Sequence, residues 1–170
     1  MLDRLNAAVY YLLGALLAVI VIVVLLQVLV RFVLTSLGVN VAAPWTEEMA
    51  RYVLVWLIFL GAAVGCRKMQ LISLEFVVRG APALLGKLAR IAALALCLVL
   101  FLLMLRYGVE FVNVIGRSEL SPVMQIPKTW VYWAMPVGAS LMIVNTLAFV
   151  ADAAVEGRDI REHGALSEEA

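Results

Sequence analysis

The sequence predicts an all-α membrane protein with four transmembrane helices and a short amphipathic interfacial segment between the second and third. Three observations predict it. Of 170 residues, 65% are hydrophobic and 15% charged, with a mean hydropathy of +1.06, whereas a soluble domain runs at roughly 45–50% and 25%. Charge-free apolar runs recur along the chain, and about 20 such residues cross the hydrocarbon as a helix. Inside lipid every backbone polar group must be satisfied internally, so runs of this length become helices. Thirteen basic and twelve acidic residues leave a net charge of +1, which supplies no basic patch for nucleic acid.

The elements follow in order. Leu5 to Val30 carries no charge and is bounded by Arg4 and Arg31, which predicts a first span at about 7–31. The run is longer than the ~7–15-residue apolar stretch of a signal peptide and ends on Leu29-Val30-Arg31-Phe32 rather than a small-residue cleavage site, so it reads as a retained span. The second span, about 45–66, opens after Pro44, which suits a first helical turn. Glu47 and Glu48 stand where the helix dipole favours negative charge. Its charge-free part, Tyr52 to Cys66, is only 15 residues long, so the turn from Glu47 to Arg51 must form its outer edge. Residues 69–82 mix Leu, Ile, Phe and Val with Glu75 and Arg79 and end at Gly80 and Pro82, which suits a surface segment.

The third span, about 84–111, has a charge-free centre from Ile91 to Leu105, with Lys87 and Arg90 near its start and Arg106 and Glu110 near its end. A polar loop with Pro122 and Pro127 follows. The fourth span, about 129–151, is 23 residues without charge, headed by Trp130, Tyr132 and Trp133 at the depth of an aromatic belt. Residues 1–151 thus form one four-span membrane domain, and residues 152–170 a polar tail. Four spans put both termini and the middle loop on one side, with eight of the thirteen basic residues there and five on the other. Cytoplasmic loops collect Lys and Arg, so both termini are expected in the cytoplasm.

Catalytic chemistry is not expected. No HExxH, CxxC or glycine-rich phosphate loop occurs. The single histidine, His163, lies in the tail, where it cannot ligate a haem in the spans. Cys66 and Cys97 read as small hydrophobes. The span centres lack the ionisable residues that mark an ion or proton path. Gln27, Asn145 and Thr146 read as interhelical hydrogen-bonding groups.

The densest chemical feature is Trp45-Thr46-Glu47-Glu48-Met49-Ala50-Arg51-Tyr52. Glu47 and Arg51 are i,i+4 neighbours in the favourable charge order. One interpretation is an interfacial anchor with acids at a helix start and aromatics at headgroup depth. The sharper one is a docking or bracing site in which Glu47 or Glu48 reaches Arg31. Arg67 marks the basic inner end or a contact with a partner or lipid headgroup. Gly61 heads a small-residue patch that would let helices approach closely.

These residues resemble a known family. Arg31, the run from Trp45 to Tyr52, then Trp56-Leu57-Ile58-Phe59-Leu60-Gly61-Ala62-Ala63 and Arg67 are similar to the small membrane subunit of tripartite ATP-independent periplasmic (TRAP) transporters. Ile126-Pro127-Lys128-Thr129-Trp130 through Gly138 resembles that family's entry into its last span. The family often has His-Ile and an acid after the arginine, where this chain has Gln70-Leu71-Ile72-Ser73-Leu74-Glu75.

The resemblance implies a non-catalytic subunit in a bacterial inner membrane. It would brace the scaffold of a large multi-span subunit in a sodium-coupled symporter for organic acids, fed by a periplasmic substrate-binding protein. Sodium is then expected on the large subunit, with no cofactor or metal on this chain, and the partners are those two proteins and membrane lipid. Arg31, Trp45, Glu47, Glu48, Arg51, Tyr52, Trp56, Gly61 and Arg67 are the candidate interface residues. The alternatives are a structural subunit of another membrane complex and a self-contained four-span transporter.

Overall fold

A computed structural model describes residues 2–34, 36, 44–67 and 83–155. The amphipathic segment expected at 69–82 and the tail beyond 155 lie outside them. Among the described residues the chain is helical with four long apolar helices and no strand. Helix α1 spans Leu2–Val28 and continues as a π-helical turn, Leu29–Leu34. Helix α2 spans Pro44–Arg67 and α3 spans Ala83–Phe111, prolonged by a π-helical turn, Val112–Gly116. A short α4, Thr129–Tyr132, leads into α5, Ala134–Val155.

The ends of these elements have local causes. Pro44 opens α2, where its missing N–H costs nothing. Glu47 in the first turn and Arg67 in the last complement the helix dipole. Pro136 cannot donate to the Tyr132 carbonyl and crowds it. The path therefore breaks at Trp133 and re-forms as α5, whose first turn closes with the Val137 N–H on the Trp133 carbonyl at 3.1 Å.

Helices α2 and α5 form the central pair, with α1 against α2 and α3 against α5. Three contacts fix α2 as running in the same direction as α4 and α5. Trp56 Nε1 donates to the Trp130 carbonyl at 3.2 Å, Asn145 Nδ2 to the Ala63 carbonyl at 2.7 Å, and Arg67 pairs with Asp152 at 2.7 Å. Helix α1 runs opposite: Asn6, near its start, exchanges hydrogen bonds of 2.8 and 2.9 Å with Asn145. Gln27, near its end, reaches Glu47. The bundle therefore has a terminal end, with Asn6, Arg67 and Asp152, and a loop end, with Glu47 and residues 116–129.

The core is apolar: Ala63, Cys66, Phe101 and Met142 are buried, with Phe59, Cys97 and Met104 packed against them. Its tightest crossing is at Gly138, where an added Cβ would stand 2.6 Å from the Phe59 Cβ and 3.1 Å from the Phe59 carbonyl oxygen. Gly61 makes no such approach, since a Cβ there would meet nothing within 4 Å. Close approach of the two helices is thus made by Gly138 against Phe59, and Ala63, fully buried, lies one turn further along α2.

Candidate functional site

Loop-end geometry begins with the segment between α3 and α4, which folds on itself. The Ser121 N–H donates to the Ile126 carbonyl at 2.8 Å and the Lys128 N–H to the Glu119 carbonyl at 3.1 Å, with Leu120 and Pro127 paired as an antiparallel bridge. Thr129 Oγ1 closes the base on the Gly116 carbonyl at 2.6 Å. Gln125 turns the tip with a φ of 55°, a left-handed conformation that costs a residue bearing a Cβ roughly 1–2 kcal/mol. Its side chain donates to the Pro122 carbonyl at 3.2 Å.

Glu48 ties this loop to α2. Its side chain is buried against the loop. One carboxylate oxygen accepts from the Tyr52 hydroxyl, one turn on. The other accepts the backbone N–H groups of Val123, at 3.2 Å, and Met124, at 3.0 Å. The Ser121 hydroxyl, itself fully buried, is a further partner of the carboxylate. A carboxylate with this many donors is well satisfied out of water. Ser121 and those two amides lie more than seventy residues from Glu48 and carry no pattern that pairs them with it in sequence.

Beside this clasp stands an ion pair. Lys128 Nζ and Glu119 Oε2 are 2.9 Å apart, and the Tyr132 hydroxyl donates to the same oxygen at 3.1 Å. The Lys128 ammonium, then the Tyr132 hydroxyl, hold the Glu119 carboxyl below its ordinary 4.5. Glu119 in turn lifts Lys128 above its ordinary 10.5. The Tyr132 ring meets Phe111 edge-on, centroids 4.9 Å apart, which ties the end of α3 to α4.

Between the start of α2 and this loop lies an open groove of about 400 Å³. Pro44, Glu47, Glu48, Arg51, Tyr52 and Lys128 are among its lining residues. Of the candidates read from sequence, Glu47, Glu48, Arg51 and Tyr52 come together here, with exposed Trp45 on the adjoining turn. Trp56 is held against the start of α4 by its indole N–H. Arg31 is exposed on the π-helical turn after α1. Gly61 lies in the later half of α2, and Arg67 is at the opposite end on Asp152.

Two expected pairings do not form. Among the described residues no ion pair joins Glu47 to Arg51, nor Arg31 to Glu47 or Glu48. Glu47 Oε1 instead accepts Gln27 Nε2 of α1 at 2.9 Å, and Glu48 is saturated by the loop. Gln27 and Asn145 are interhelical, as expected, and the Thr146 hydroxyl, which donates to the Met142 carbonyl of its own helix at 2.8 Å, also partners the Cys66 thiol of α2. Among the described residues no cluster of His, Cys, Asp and Glu could hold a metal ion.

A family model of the DctQ component of tripartite ATP-independent periplasmic transporters matches residues 20–156. The chain belongs to the DctQ family. That range takes in the Glu48 clasp, the groove, three whole spans and the later part of the first, so the DctQ component is a multi-pass membrane protein and a part of a transporter. Two relatives are similar to it. The isethionate TRAP transporter permease protein DctMQ of Oleidesulfovibrio alaskensis is 27% identical over 139 residues, covering 81% of this chain and 22% of that protein. A putative TRAP transporter small permease protein of Haemophilus influenzae is 26% identical over 156 residues, covering 85% of this chain and 91% of that protein. The DctQ chain thus spans about a fifth of the first relative and nearly all of the second.

Proposed function

We propose that this chain is the non-catalytic small membrane subunit of a sodium-coupled transporter for organic acids and braces the static scaffold of a large transport subunit. One observation carries this reading: a segment like this chain makes up only 22% of a single polypeptide in the DctMQ relative. A much larger part of that permease is therefore joined to it covalently. By analogy the large partner of this chain carries substrate and sodium, and this chain holds neither.

The interior of the bundle agrees with that division. Ala63, Cys66, Phe101 and Met142 close its centre with apolar contacts, and the buried Asn145 spends its amide on Asn6 and Ala63. A path for a charged solute needs ionisable or water-lined positions at depth. The excess of Lys and Arg on the terminal side supports a cytoplasmic location for both termini, which puts the Glu48 clasp and its groove at the periplasmic surface of a bacterial inner membrane. There the groove faces the substrate-binding protein.

Reconstituted uptake tests the reading. Vesicles with the large subunit, the binding protein and this chain should accumulate an organic acid down a sodium gradient. Omitting this chain should abolish uptake while the binding protein's affinity for the acid stays the same. Full uptake without it, or uptake by this chain alone, overturns the bracing role.

A further inference from the structure

The groove at the loop end has a direction. Its wall on α2 is a stripe at three- and four-residue spacing, from Pro44 through Glu47 and Arg51 to Val55. It therefore follows the helix axis for about three turns, roughly 16 Å. The two ends differ. Glu47 and Arg51 stand toward the outer end, and from Tyr52 to Cys66 the helix carries no charge. The facing wall has the same order, with Lys128 the last charge before a charge-free run and Val131 one turn further in.

A groove that is charged at the rim and apolar toward the membrane has the polarity of a lipid molecule. Aromatic side chains mark the rim. Trp45, at the outer end, is 44% exposed, and Trp130, next to Val131, is 72% exposed, as befits a headgroup layer. Further in, the exposed face of α2 continues from Glu47 and Arg51 to Leu54 and Ile58, at the spacing of one helix face. That face is an apolar track for an acyl chain.

The charges at the outer end fit one kind of headgroup. Glu47 and Arg51 are exposed, one turn apart, in the order that favours a local ion pair, yet they do not pair. Glu47 uses Oε1 on Gln27. Among the described residues Arg51 forms no hydrogen bond or ion pair. The other charges of the groove are engaged, Lys128 by Glu119 and Glu48 by Tyr52 and the loop amides. An open guanidinium and an open carboxylate oxygen are thus left side by side, their Cβ atoms about 5–6 Å apart.

We propose that this groove seats the headgroup of one phosphatidylethanolamine molecule, its phosphate on the Arg51 guanidinium and its ammonium on the second oxygen of Glu47. Two carbons join phosphate and ammonium in that headgroup, which matches partners one helical turn apart. A guanidinium takes phosphate in a paired hydrogen bond. A primary ammonium offers three donors to the acid, and a choline headgroup offers none. An anionic headgroup leaves Glu47 facing negative charge. The glycerol end lies against Val55 and Val131, and an acyl chain follows Leu54 and Ile58. This seat depends on the chain crossing the membrane and not on the bracing role. The bound headgroup becomes part of the surface that the loop end presents to the aqueous side.

Native mass spectrometry of the full chain tests this. The chain is reconstituted in nanodiscs with equal amounts of phosphatidylethanolamine, phosphatidylcholine and phosphatidylglycerol, then released, and the lipid that stays bound is identified. One phosphatidylethanolamine is expected on the wild-type chain. Arg51→Ala, and separately Glu47→Gln, should each lower its retention about tenfold, the loss of one charged hydrogen bond, at an unchanged yield of chain. Glu47→Gln keeps an acceptor for Gln27, so it reads the ammonium contact and not the fold. Unchanged retention in both variants overturns the site. Equal retention of phosphatidylcholine, or a loss with Arg51→Ala alone, overturns the zwitterionic headgroup. Excess soluble phosphoethanolamine should leave the lipid in place, and displacement by it overturns the lipid in favour of a free phosphate compound.

Discussion

At Glu48 a single carboxylate decides whether the loop between the third and fourth spans is held. It takes the Val123 and Met124 amides, the Tyr52 hydroxyl and Ser121. Removing it orphans the Val123 N–H, an expensive loss where water is excluded, and leaves the Met124 N–H with the Ser121 hydroxyl alone, at 3.2 Å. Glu48→Ala is expected to speed amide exchange at Val123 and Met124 by at least about tenfold, with the rest of the bundle unaffected. Glu48→Gln, which keeps the shape and one acceptor oxygen, should fall between. The neighbouring pair gives a pH window. Glu119 is held below 4.5, so its contribution is complete above that value and is lost as pH falls through the lowered one. Lys128 is raised above 10.5, so its contribution is complete below that value and is lost as pH rises through the raised one. Exchange protection of Lys128 N–H, corrected for intrinsic rate, should therefore be flat between pH 4.5 and 10.5. A midpoint near neutrality would show that another group governs the loop.

At the scale of elements the crossing of α2 and α5 is set by one missing side chain. Gly138→Ala would place a Cβ 2.6 Å from that of Phe59 and close to the Phe59 backbone, so a helix must shift. Overpacking of this kind costs about 1–3 kcal/mol and should show as a lowered unfolding temperature in detergent. Gly61→Ala is the control: the added methyl meets nothing within 4 Å, and helix propensity alone favours it by up to about 1 kcal/mol. Asn145→Leu removes the tie from α5 to Asn6 and Ala63. A hydrogen bond between membrane helices averages ~0.6 kcal/mol, and Asn145 makes three, so a loss of roughly 2 kcal/mol, comparable with that of Gly138→Ala, is expected.

For the whole molecule the two ends of the bundle differ in kind. The terminal end is fastened by Arg67 to Asp152 and by the Asn6–Asn145 exchange. The loop end is closed by a folded hairpin clasped to α2, next to a groove with Arg51 and Lys128 at its sides. A rigid rim there suits a surface that meets a soluble protein. In the assembled transporter, charge reversal at Arg51 is expected to weaken delivery from the binding protein, raising the concentration needed for half-maximal uptake with little change in the amount of assembled membrane complex. Loss of assembly with Arg51→Glu would place that residue against the large subunit.

Four spans and their order were set by the sequence alone, because lipid imposes length and apolarity on any segment that crosses it and leaves the mark in composition. The acidic and aromatic start of α2 was legible as a candidate site for the same reason, polar groups at a rim being few. What only the tertiary structure decided is which of those groups meet. Glu47 takes Gln27 and not Arg51 or Arg31, Glu48 takes amides from a loop more than seventy residues away, and Gly138 rather than Gly61 makes the close crossing. Backbone N–H groups are identical in every sequence, and helix rotation is not fixed by uniformly apolar faces.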